Sequence, residues 1–202
     1  CPDTPFHRES SRMLCIQAVA RIMEPGCKVD TMPIIQGATG SRKSTFWERF
    51  FGGFVTELKA DLDRTDRVIE NLRGFWAVEM AEMAAAKRAD SNTLKSMLSS
   101  AMDQHRLAYG AREKEYPRQS LFVGTSNEED YLTDPTSSRR YWVWKTTHDQ
   151  FDPIDIDHLE SVLWIIWGEA VEAYREMRKA QKHGSLWLDL RDPEAVLERD
   201  RI

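Results

Sequence analysis

Apolar residues recur along the chain with two spacings, one helical and one alternating or continuous over a few residues. In residues 9–24, Met13, Ile16, Val19, Ala20 and Met23 fall at helical spacing, with Ser10 or Ser11 placed to cap the start. Pro25-Gly26 stops that helix. Residues 32–36 are a short apolar run that reads as a strand, and residues 43–51 resume a helix that Gly52-Gly53 ends. Residues 59–73 form a helix with one polar face, broken at Gly74. Residues 75–80 are a second apolar run of the kind found in buried parallel strands. A helix is predicted over 84–102, interrupted near Asp90-Ser91-Asn92. Residues 103–118 mix cations with aromatics around Gly110 and Pro117 and predict a hairpin. Residues 120–125 make a third strand, and 139–144 alternate as a fourth. A long amphipathic helix over 155–182 runs through Ile156, Leu159, Leu163, Ile166, Ala170, Tyr174 and Met177. Trp142, Trp144, Trp164, Trp167 and Trp187 read as core or helix interface.

Strands alternating with helices predict an α/β fold with a mostly parallel central sheet flanked by helices. The expected organisation is one domain, with a helical lead-in over 1–30, a core over 31–148 and a C-terminal helical part over 149–202. Composition agrees: 41% hydrophobic and 30% charged residues are ordinary for a globular chain of 202 residues. No apolar run reaches the length of a membrane span. Three cysteines, Cys1, Cys15 and Cys27, match neither a disulfide framework nor a metal spacing, which suits a reducing cytoplasm. A first residue that is not Met implies a piece of a longer protein. The net charge of −5 is uneven. Residues 149–202 hold 13 acidic and 7 basic side chains, leaving 20 acidic and 21 basic in the rest, so a local basic surface is open to the first part.

The chemistry collects after the strands, where the ligands of parallel sheets bind. The first strand runs into Gly37-Ala38-Thr39-Gly40-Ser41-Arg42-Lys43-Ser44-Thr45. A small-residue loop leading into a helix through Lys-Ser is how a phosphate-binding loop reads: free N–H groups face an anion, Lys43 is a cation for the outer phosphates, and Ser44 offers a hydroxyl to Mg²⁺. The pattern G-x-x-x-x-G-K-[ST] is met except at its last glycine, where Arg42 stands. Taken alone, the loop is equally readable as a glycine-containing turn. Glu79 and Glu82 follow the second strand and suit Mg²⁺ coordination and polarisation of water, or are solvated strand-end residues. Asn127 follows the third strand, where an amide orients water or completes a turn. Arg139 and Arg140 are candidates for stabilising a transferring phosphoryl group, or a surface pair facing nearby acids. Arg106, Tyr109, Arg112, Lys114 and Arg118 combine cations with aromatics as single-stranded nucleic acid requires, though Glu113 and Glu115 dilute the charge.

In this order the motifs resemble the virulence-associated protein E family of phage and mobile-element proteins. The resemblance runs from Ala20 to about Leu190. It rests on Ala20-Arg21-Ile22-Met23-Glu24-Pro25-Gly26-Cys27-Lys28-Val29-Asp30, on the loop, and on Leu72-Arg73-Gly74-Phe75-Trp76 with Glu79 and Glu82. It continues through Tyr116-Pro117-Arg118-Gln119, Phe122-Val123-Gly124-Thr125-Ser126-Asn127, Asp134-Pro135-Thr136 and Arg139-Arg140-Tyr141-Trp142. It implies an AAA+-like P-loop ATPase domain related to superfamily 3 helicases, with ATP, Mg²⁺, a hexamer-like homo-oligomeric ring and single-stranded DNA in its channel. It also implies a primase or related module on the same longer chain, in the cytoplasm of a bacterial or phage-infected cell. By position Lys43 and Ser44 match the Walker A residues, Glu79 and Glu82 the Walker B acids, Asn127 sensor 1, and Arg139 or Arg140 the arginine supplied across a subunit boundary. Residues 104–118 fall where such domains carry a DNA-facing hairpin. Arg42 departs from the family's glycine. A long cation there either crowds the phosphate or points outward and leaves the loop intact. The second alternative reading is a degenerate P-loop module that binds nucleotide or DNA and assembles without efficient hydrolysis.

Overall fold

The computed structural model describes residues 3–62, 64–83, 91–105, 114–127 and 139–180, together with positions 186, 196, 197 and 199. Helix α1 spans Pro5–Met23. Its N-cap is Thr4, whose hydroxyl accepts from the His7 N–H at 3.3 Å, with proline in the first turn. Ser10 and Ser11, the expected caps, lie inside the helix. Their hydroxyls donate back to Phe6 O and Arg8 O, which is how serine is accommodated in a helix interior.

The remaining elements follow the predicted order. They are β1 (Met32–Gln36), α2 (Lys43–Phe50), β2 (Val55–Glu57), α3 (Thr65–Leu72), β3 (Ala77–Met80) and a 3-10 turn at Ala81–Met83. Then come α4 (Ser91–Ser99), β4 (Met102–His105), β5 (Lys114–Pro117), β6 (Leu121–Ser126), β7 (Tyr141–Lys145) and α5 (Ile156–Lys179). Strand β2 carries no sequence signal: three residues with two polar ones form an edge that only pairing with β3 defines.

Five strands form one sheet in the order β2-β3-β6-β1-β7, and every neighbouring pair is parallel. Alternate side chains serve opposite faces. Ile35, Ala77, Val123, Trp142 and Trp144 pack with α1, α2 and α5. Met32, Ile34, Val78, Met80, Phe122 and Val143 pack with α3 and α4 on the other face. The result is a three-layered α/β sheet with helices on both sides. The apolar positions predicted for the last helix do face the core. Of the tryptophans, Trp142 and Trp144 are buried and Trp167 is half-buried. Trp164 departs from expectation: it is 75% exposed, because the buried stripe of α5 passes through Leu163, Ile166 and Trp167 instead. Trp187 lies outside the described residues.

The predicted hairpin exists at its stem, where β4 and β5 pair antiparallel from Met102↔Pro117 to His105↔Lys114. Among the described residues no helix is long and apolar enough to cross a membrane.

Candidate functional site

Strand register brings the three polar groups to one rim. In the sheet, Ile34 pairs with Gly124 and Gly124 with Met80, so β1, β6 and β3 end nearly level. The Gly37 N–H continues the ladder by donating to Ser126 O at 3.1 Å, which sets Gly37 beside Asn127. The chain then loops back into α2. Gly37 and Gly40 are required by packing. A Cβ on Gly37 would lie 2.5 Å from Thr146 Cγ2, and one on Gly40 would lie 2.8 Å from Gln150 Cβ at a backbone φ of +83°.

Arg42 answers the question its side chain raises. It sits at the N-cap of α2 with φ 65° and ψ 32°, the left-handed conformation that glycine adopts without strain. The backbone thus takes the glycine conformation with arginine in place, and the side chain is exposed.

Lys43 is 7% exposed, and its ammonium is enclosed by oxygens. Nζ donates to Gly37 O at 2.9 Å, to Ala38 O and Asn127 Oδ1 at 2.7 Å, and approaches Ser41 Oγ at 3.3 Å. Burial pulls its pKa down, and the charge of Glu82 opposes that. Ser44 Oγ donates to Glu79 Oε1 at 2.6 Å, and Thr125 Oγ1 donates to the same oxygen at 2.9 Å. Glu79 is 6% exposed, and burial raises its carboxyl pKa despite the two hydroxyl donors. The Glu82 N–H donates to Thr125 Oγ1 at 3.3 Å, and Asn127 Nδ2 approaches Glu82 Oε1 at 3.4 Å. The bonds form a chain from Lys43 through Asn127, Glu82, Thr125 and Glu79 to Ser44, the covalent neighbour of Lys43. Glu82 and Met83 both have positive φ, 51° and 50°, so the turn that aims Glu82 is strained.

The two acids therefore have different surroundings. Glu79 is buried and held by two hydroxyls, whereas Glu82 and Asn127 are exposed. Thr125 joins the acids and was not visible in the sequence, where it is one more β-branched residue of a strand. Its place two residues before Asn127, in the same phase of the strand, is the faint signal available.

Arg139 and Arg140 are not part of this rim. They precede β7, whose first residue pairs with Met32 at the start of β1, and Arg140 O accepts from the Met32 N–H. A five-residue strand puts them roughly 16 Å from the loop, at the opposite end of the sheet. Arg140 Nε lies 3.9 Å from Asp30 Oδ2, and Arg139 is exposed.

Among the expected DNA contacts, Arg106, Tyr109 and Arg112 lie outside the described residues, and Lys114 begins β5. Arg118 is elsewhere than expected. It is 4% exposed, with Nε and Nη2 donating to Asp103 Oδ1 at 2.8 and 2.6 Å and Nη1 donating to Met97 O. Strand pairing brings Asp103 to it across the hairpin base, so its charge is neutralised inside the protein and it has no face left for a nucleic acid.

Fold and site together define a class: a parallel, three-layered α/β domain whose strand ends carry a lysine–serine loop against two acids and an amide. The chain belongs to the virulence-associated protein E-like domain family, which matches residues 1–198. Among solved structures, the A-form apo structure of the NrS-1 C-terminal region has a similar fold, with a TM-score of 0.51 at 16% identity. That similarity covers 86% of this chain and 49% of the other, so the chain spans about half the length of that solved relative. No curated protein matches the chain.

Proposed function

We propose that this chain is an ATP-dependent DNA helicase- or translocase-like motor domain of a phage or mobile-element replication protein. The observation that carries the reading is the chain of hydrogen bonds that runs from Lys43 through Asn127, Glu82, Thr125 and Glu79 back to Ser44. It links the loop to the ends of two neighbouring strands, where a phosphoryl group and its attacking water would meet. Backbone N–H groups of Gly37 to Thr45 would cradle the phosphates. Lys43 would exchange the carbonyls of Gly37 and Ala38 for phosphate oxygens. Exposed Glu82, steered by Asn127, would accept a proton from water.

Ser44 and Glu79 are two hard oxygen donors already in contact, and they fit Mg²⁺. Ser44 Oγ would ligate it directly and Glu79 through water, and the bound ion would neutralise charge on the transferring phosphoryl group. Arg139 or Arg140, too far away to serve its own loop, would serve a neighbour's in a homo-oligomeric ring of hexamer-like size. Single-stranded DNA would meet the hairpin through Arg106, Tyr109, Arg112 and Lys114. A primase or related module would lie elsewhere on a longer chain.

The test is ATP turnover with and without single-stranded DNA. Lys43→Ala is expected to abolish DNA-stimulated hydrolysis, and unchanged turnover would refute the reading. One observation favours a second reading, an assembly or binding module without efficient hydrolysis: Lys43 is turned onto the loop's own carbonyls. Calorimetry separates the two: protein that binds neither ATP nor a non-hydrolysable analogue, yet assembles or binds DNA, favours this module.

A further inference from the structure

We propose that Phe151 is the platform on which the base of the bound nucleotide stacks. This rests on the nucleotide reading of the loop and adds where the nucleoside lies. Phe151 is 87% exposed, more than any other large hydrophobic residue described. It belongs to the segment 146–154 that follows β7 and braces the loop. Thr146 and Gln150 fill the spaces beside Gly37 and Gly40, and the Ile154 N–H donates to Ser41 O at 3.2 Å.

The turn that presents the ring is held independently of it. Asp149 Oδ1 accepts from the N–H groups of Phe151 and Asp152, at 2.7 and 2.9 Å. The Asp149 N–H donates back to Asp152 O at 3.2 Å, and His148 Nδ1 lies 2.9 Å from the same oxygen. The aromatic face is therefore offered to solvent by a constrained backbone beside the loop.

Sheet order supplies the direction. The acids and Asn127 stand at the ends of β3 and β6, on one side of β1, and the segment carrying Phe151 follows β7, on the other. A triphosphate lying in the loop with its terminal group towards Glu79 and Glu82 must send its ribose and base away from them, over the β7 side. The ligand class is a nucleoside triphosphate. Stacking recognises the face of the base and tolerates any base, because each offers a π-surface.

The experiment is calorimetric titration of the full chain with two probes, ATP and inorganic tripolyphosphate, in Mg²⁺. Phe151→Ala is expected to weaken ATP about tenfold or more, the range of one base–aromatic stack, and to leave tripolyphosphate unchanged. Phe151→Trp is expected to restore ATP binding. The proposal is overturned if Phe151→Ala binds ATP as the wild type does, including where it instead weakens DNA binding or assembly. It is also overturned if both probes weaken equally, which would make the ring a prop for the loop. Wild-type protein that binds neither probe would defeat the nucleotide reading itself. Tripolyphosphate binding with no effect of Phe151→Ala on ATP would defeat only the stacking.

Discussion

At Arg42 the chain holds a glycine conformation with a side chain attached, φ 65° and ψ 32°, at about 1 kcal/mol or more of strain. Arg42→Gly is therefore expected to raise the melting temperature by about 2–4 °C, the usual shift for ~1 kcal/mol in a domain of this size. Because the side chain is exposed, ATP turnover is expected to stay within about twofold; a rise of about tenfold or more in the same assay would mean that the guanidinium had been obstructing phosphate. Glu79 supplies a pH signature. Burial raises its pKa, so the folded state favours the protonated carboxyl. That contribution to stability is complete below the unfolded glutamate value, about pH 4.3, and declines as pH rises through the folded value. Glu79→Gln keeps an acceptor for Ser44 and Thr125 and carries no charge. The variant is expected to be more stable than wild type at neutral pH, with the difference closing as pH falls towards about 4, while hydrolysis is lost. Denaturant titrations across that range measure it, and a difference independent of pH would remove burial as its cause.

The loop from Gly37 to Thr45 is only as well placed as the helix it feeds. Helix α2 is anchored by Trp47, fully buried, whose indole N–H donates to Gly124 O at 3.0 Å and whose ring packs on Phe46, Phe50, Phe51 and Trp144 at centroid separations of 5.1 to 6.3 Å. Gly124 in turn leaves no room for a Cβ between Met83 and Ile34, so β6 lies close under both the loop strand and the turn that carries Glu82. Trp47→Ala is expected to cost about 3–5 kcal/mol in denaturant unfolding and to weaken nucleotide binding more than a distant core change of equal cost. Equal weakening by both would show that Trp47 supports the fold without aligning the loop. At the hairpin, Arg118 and Asp103 do comparable work, clamping the stem to α4 through Met97.

At the scale of the molecule the parallel sheet has two ends, and the loop and the arginine pair occupy opposite ones. Within one subunit they are separate; in a ring, one end can meet the next subunit's other end. Arg140 lies beside Asp30 and Arg139 is exposed, so under the proposed function Arg139 would be the one to act in trans. Arg139→Ala is expected to bind ATP normally and to lose hydrolysis by about 10³-fold or more. Mixing it with Lys43→Ala is expected to recover part of the activity, because each variant supplies what the other lacks at the shared boundary. No recovery in mixtures that assemble would count against an arginine donated between subunits.

The strands and most of the helices were legible in the sequence because their signals are local: runs of four to six apolar residues, a 3.6-residue stripe, glycine and proline at the breaks. The loop was legible for the same reason, being one continuous stretch from Gly37 to Thr45, and so was the candidacy of Glu79, Glu82 and Asn127, each directly after a strand. What pairing decides was not legible. Edge strand β2 exists through β3, Thr125 matters because strand register sets it between two acids, and Arg118 is buried because Asp103 arrives from across a hairpin. The conformation of Arg42 belongs with these, since a side chain's identity does not reveal that its backbone will be held left-handed by what surrounds it. The sequence by itself determined the elements and the kinds of chemistry at their ends. Only the tertiary structure decided which polar groups meet, because hydrogen bonds and burial between distant segments are settled by sheet order and register, and neither is written in any local pattern.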